Sequence, residues 1–203
     1  MRRLLLVALA LFCVLGGTAR ADGDPASDYL LGTQVFIPFD LKIPKASQQE
    51  LTALVHDANA SGYTIRVALI GSAYDMGSVT SLWRKPRPYA KFLGAELTFV
   101  YKNRLLVVMP NGFGFNRPGH SPAKEYATLS KIPIGSGPMG LLNAASAGVQ
   151  KLAAASGVTI KRTSSDSSSG HSMAHDRIVI IVAAVALLAV AIALRLVLRR
   201  KRT

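Results

Sequence analysis

The chain has 203 residues, half of them hydrophobic, a formal net charge of +13 and one cysteine. That cysteine, Cys13, lies in an apolar N-terminal run, so the rest of the chain has no disulfide, cysteine-ligated zinc, thiol nucleophile or Cys-x-x-Cys pair. A thioredoxin-like redox or copper-delivery domain is thereby set aside. The charge is unevenly spread: +3 over residues 1–21, +6 over 22–162, −2 over 163–176 and +6 over 177–203. Most of the excess therefore sits at the two ends. The middle is only mildly basic, which suits an anionic membrane surface or envelope polymer and excludes nucleic acid as the expected partner.

In chain order, Arg2 and Arg3 precede the apolar run Leu4–Leu15, and Ala19-Arg20-Ala21 supplies a small-x-small cleavage pattern. This predicts a secretory signal peptide over 1–21, the run being too short to span a bilayer. Residues 22–162 are enough for one domain with a sizeable core. "TQVFIPFD" reads as an extended edge strand, limited by Pro38. "KASQQELTALVHDANASG" reads as a helix from Ser47 to Ala60, with Ser47 and Glu50 as a capping box and Gly62 as its stop. "TIRVALIGS" reads as a strand, with Ile65, Val67 and Leu69 on one face and Arg66, Ala68 and Ile70 on the other.

"SLWRKPRPYAKFLGAEL" reads as a basic loop broken by prolines, then a short helix from about Pro88 to Ala95. "RLLVVMP" is the most apolar segment and the expected central strand. The "NGFG" after it lacks the Gly-Lys-Ser/Thr of a phosphate loop and is followed by no helix signal. Asn111-Gly112 is instead expected to reverse a hairpin, with Phe113 or Phe115 packed inward. A last helix is expected over about Gly140 to Ser156. The alternation predicts an α/β fold: a single layered domain with a central mixed β-sheet flanked by helices.

The serine-rich stretch 163–176 reads as a flexible tether. Its His171 and His175 are four apart, a spacing that suits a metal but is more simply two solvated histidines. Ile178–Leu194 is uncharged, and Leu196–Leu198 extends it past Arg195. This predicts a transmembrane helix over 177–198 and a basic cytoplasmic tail over 199–203.

For chemistry, no His-x-x-x-His helix, Asp-x-Asp pair or Gly-x-Ser-x-Gly elbow occurs. Arg84, Lys85 and Arg87, with Lys91 beside them, are the anion-binding candidates, set against a plain solvated loop. Asp40, Ser72 and Asp75 are the polar-turn candidates, Ser72 and Asp75 because they follow a strand of an α/β domain. Asp57, His56 and His120 complete the acid–base inventory. "IGSGPMG" at 134–140 enters a helix and offers either backbone N–H groups to an anion or ordinary capping. These residues form no catalytic constellation and no metal set.

The order of Gly62, "AYDMGSV", Trp83, Gly94 and "NRLLVVMPNGFGF" resembles the TPM-domain family over about Val35 to Ser156. The resemblance implies an extracytoplasmic α/β domain with a binding or assembly-accessory role. It implies phosphatase activity in some relatives and a divalent cation held by an aspartate-rich first strand, of which Asp40 is the one match here. The expected function is a membrane-tethered extracytoplasmic accessory or interaction domain, with the cell membrane and an envelope protein as partners. The alternative is a metal-assisted hydrolase of the cell envelope using Asp75, Asp40 and the basic loop. The balance leans against an enzyme, and no cofactor is expected beyond that divalent cation.

Overall fold

The structure is a computed structural model, and it describes residues 23–162. The expected signal peptide, tether, transmembrane helix and tail lie outside these residues. Among the described residues no helix is long and apolar enough to cross a membrane.

The chain runs α1 (Pro25–Gly32), β1 (Val35–Phe36), α2 (Lys45–Ala60), β2 (Ile65–Leu69), a 3-10 segment (Ala73–Leu82), α3 (Pro86–Glu96), a short 3-10 turn (Leu97–Phe99), β3 (Arg104–Met109), β4 (Gly112–Asn116), α4 (Ala123–Leu129) and α5 (Gly137–Ala155). The four strands form one sheet in the order β1-β2-β3-β4. β1, β2 and β3 are parallel, and β4 is antiparallel to β3, so the sheet is mixed.

Alternation along β2 and β3 builds two cores. Ile65, Val67, Leu69, Leu106 and Val108 pack on one face with Leu51 and Val55 of α2, Leu129 of α4 and Leu142 and Val149 of α5. Ala68, Ile70, Leu105, Val107 and Met109 pack on the other with Leu30 of α1, Met76 of the 3-10 segment and Tyr89 and Leu93 of α3. The result is a three-layer α/β/α domain. Each apolar side chain fully buried in these layers contributes roughly 1.5–3 kcal/mol against solvent exposure. The helices α2 and α3 lie on opposite faces although both crossovers advance in the same direction along the sheet. The two crossovers therefore have opposite hands, and one departs from the right-handed rule.

Three expectations need correction. The helix expected from Ser47 begins at Lys45, after Pro44, which has no side-chain cap, so Ser47 and Glu50 lie inside the helix and form no capping box. Pro44 already holds a φ of −54° and carries the chain into the helix two residues early. Secondly, Pro86 and Pro88 do not break the basic segment. They lie in the first turn of α3, where their missing N–H groups have no intrahelical partner to lose.

Thirdly, the hairpin turns one residue earlier than expected. Met109 pairs with Gly112, leaving Pro110-Asn111 as the two-residue loop. Pro110 suits the second position of a type I turn and Gly112 the fourth, so Asn111 needs no positive φ and has none. Both phenylalanines are buried as expected. The short helix α4 occupies the segment 116–140 that the sequence left without an element, and α5 starts at Gly137 rather than Gly140.

Candidate functional site: a basic groove along the sheet edge

β4 is an edge strand, and its outer side is where the exposed polar chemistry gathers. In the ladder Leu106 faces Phe115 and Val108 faces Phe113. The Tyr126 hydroxyl lies on this outer side, accepting from the Phe115 N–H at 3.0 Å and donating to the Phe115 carbonyl at 3.1 Å. Phe115 thus points its backbone groups away from β3, and by the two-residue period Phe113 does so too. One outward-facing position of the edge is capped by Tyr126, and the other, at Phe113, borders a cavity.

That cavity, of about 610 Å³, lies between the start of α3, the hairpin turn and the end of α4. Its apolar wall includes Pro86, Pro110, Phe113, Leu129, Ile132 and Ile134, and Lys85 and Arg87 are its cations. A second cavity, of about 760 Å³, continues along the strand between the end of α3 and the 116–122 loop, where Lys91, Arg117 and His120 line it. Arg87 and Tyr126 belong to both, with the guanidinium 4.2 Å from the ring centroid. The two cavities make one groove with five basic side chains and no Asp or Glu among its lining residues.

The anion candidates divide at this groove. Lys85 and Arg87 line it, and Lys85 also reaches the Ser81 carbonyl at 3.0 Å. Arg84 does not line it. Its backbone takes a φ of +58°, unusual for a side chain of this size, and its carbonyl accepts from Asn111 Nδ2 at 2.6 Å. This bond ties the turn before α3 to the hairpin and so fixes one end of the cavity.

The polar-turn candidates lie elsewhere, in loops after β1 and β2. Asp75 is buried and accepts from the Gly71 and Ser72 N–H groups at 2.7 and 2.8 Å and from Ser72 Oγ at 3.1 Å. Its carboxylate closes the turn after β2. Asp40 is exposed in the loop after β1. His56 is exposed on α2, 3.6 Å from the buried Asp57, and His120 lies at the far end of the groove. Among the described residues no three His, Cys, Asp or Glu side chains gather as a metal-ion site.

The sequence reading missed two arrangements. Tyr126 was not singled out, because a lone tyrosine in an unassigned segment gives no sign of the strand it will cap. Asp24 and Tyr89 were missed because they are 65 residues apart: the buried Tyr89 hydroxyl donates to both Asp24 oxygens, at 2.7 and 2.9 Å. Asp24 also caps α1, accepting from the Ala26 N–H at 3.2 Å. That cap was legible, since Asp followed by Pro is a helix-start signal.

No protein-family profile matches the chain, and no curated protein matches it. Among solved structures it is similar to the solution NMR structure of the N-terminal domain of the cg2496 protein from Corynebacterium glutamicum. The identity is 15%, the match covers 67% of this chain and 85% of that one, and the TM-score is 0.39.

Proposed function

We propose that this chain is a membrane-tethered extracytoplasmic interaction domain that binds an anionic group of an envelope protein in the groove along β4. One observation carries the reading: Lys85, Arg87, Lys91, Arg117 and His120 line two cavities that adjoin at Arg87 and Tyr126, and no carboxylate side chain is among the lining residues. Cations gathered along a concave surface raise the local concentration of anions and offer charge-assisted hydrogen bonds. The signal-like start, the serine-rich stretch and the apolar run near the C-terminus support the tethered topology. The resemblance to the TPM-domain family is compatible with an accessory role, and with the hydrolase alternative as well. Asp75, the carboxylate on which the hydrolase alternative depends most, already accepts three hydrogen bonds from its own turn.

Cross-linking in native membranes tests the reading. The full chain is expected to capture one envelope protein, and Arg87→Glu with Lys91→Glu is expected to cut that yield about tenfold, as the loss of charge-assisted hydrogen bonds implies. Equal capture by the doubly substituted chain would remove the groove from the function. Turnover of phosphoesters by the purified protein would replace the interaction reading with the hydrolase.

A further inference from the structure

We infer that the cavity of about 610 Å³ beside Phe113, the upper cavity of this groove, receives the C-terminal end of an extended partner peptide, taking its free carboxylate and its last, apolar side chain. The inference rests on the groove being the binding site. It adds the chemical identity of what enters it.

Three features meet in the cavity, and a peptide C-terminus answers all of them. The first is one open position of the sheet edge. Phe113 directs its N–H and C=O off the strand, while the equivalent groups of Phe115 are already paired with Tyr126. An added strand would therefore gain hydrogen bonds at Phe113 and be stopped at Phe115, which limits pairing to the end of a peptide and disfavours a long continuous strand. The second is the apolar wall of Pro86, Pro110, Phe113, Leu129, Ile132 and Ile134, against which an aliphatic side chain would lose its water. The third is the cation pair Lys85 and Arg87, with no acid among the lining residues. A C-terminal residue carries the complementary set on one unit: a backbone edge, a side chain and a carboxylate. An inorganic or lipid phosphate would meet the cations and leave the edge and the apolar wall unused.

The prolines of α3 fit this role. Pro86 and Pro88 both line the cavity, and their rings set its wall without side-chain freedom to lose on binding. The Asn111–Arg84 hydrogen bond holds the hairpin against the start of α3, so the cavity is formed before a ligand arrives.

The test uses the full chain in lipid nanodiscs and a displayed library of short random peptides with free C-termini. Enriched peptides are expected to end in an aliphatic residue and to lose about tenfold or more in affinity when made as C-terminal amides, the loss of one charge-assisted contact in an apolar setting. Ser130→Trp, at an exposed position lining the cavity, is expected to abolish their binding without changing any charge. Lys85→Glu with Arg87→Glu is expected to weaken it as much as amidation does. Selected peptides that bind equally well as amides, no enrichment at all, or binding only to vesicles of anionic phospholipid would each overturn the inference. If membrane capture of the partner still depends on Arg87 and Lys91 while amidation has no effect, the interaction reading stands and this inference alone falls. If neither responds, both fall.

Discussion

Asp24 shows how one residue can hold two elements and leave a pH signature. It caps α1 and accepts two bonds from the Tyr89 hydroxyl of α3, at a position only 4% exposed. Burial pushes its carboxyl up to about 6 from an ordinary 3.8, with the Tyr89 and Ala26 hydrogen bonds opposing the rise. The same burial, reinforced by the Asp24 charge, pushes the Tyr89 phenol well above its usual range. The fold thus favours protonated Asp24, so the stability from this group is complete below about 3.8 and is lost as pH rises through about 6. Asp24→Asn keeps an N-cap and an acceptor for Tyr89 without a charge. It is expected to raise stability at pH 7 by about 1–3 kcal/mol and to flatten the profile between pH 4 and 6. Urea unfolding at several pH values reads this, and a profile parallel to that of the unaltered chain would show that Asp24 titrates normally.

The contact that shapes the groove is α3 against β4, and it depends on glycine. A Cβ at Gly114 would overlap the Pro86 carbonyl, and one at Gly94 would overlap the Asn116 side chain. The helix and the strand therefore approach at backbone distance, which sets where Arg87 and Tyr126 meet. Gly114→Ala is expected to cost about 1–3 kcal/mol through this overlap. It should also push the first turn of α3 outward and weaken whatever binds the groove. Gly32→Ala, where an added Cβ meets nothing within 4 Å, should leave Tm nearly unchanged. Calorimetry of the pair separates the two, and an equal Tm in both variants would argue that α3 yields without cost. At this scale the strands were legible in sequence because runs such as "TIRVALI" and "RLLVVM" carry apolar side chains for both faces. The helices α1 and α4 were not: they are 8 and 7 residues long, too short for a periodic stripe to stand out.

Among the described residues, both cores are built between Ala26 and Ile160. The last described residues are anchored too, with the Lys161 N–H donating to Ser61 Oγ at 3.0 Å. A chain ended at Arg162 is accordingly expected to unfold in one cooperative transition with the Tm of the full chain's folded domain. Two separated transitions, or a fall of many degrees, would mean that residues outside this span complete the core. Ser61 precedes the start of β2, whereas the hairpin turn and the start of α3 lie beyond the C-terminal end of β3. Lys161 is thus held at the end of the sheet opposite the hairpin turn.

The sequence alone determined the class of the protein. Apolar runs of strand length alternating with a helical stripe bury both faces as a layered α/β domain. It also determined the hairpin to within one residue, because few residues turn a chain so tightly. Tertiary structure decided which cations lie together. Lys85 and Arg87 on one segment and Arg117 and His120 on another are unremarkable as strings. They become a groove only when Gly114 lets α3 settle on β4 and Tyr126 crosses the edge of that strand. Local pattern encodes burial, which follows a short period along the chain. A site depends on which distant segments meet, and that is settled by the packing of side chains far apart in sequence.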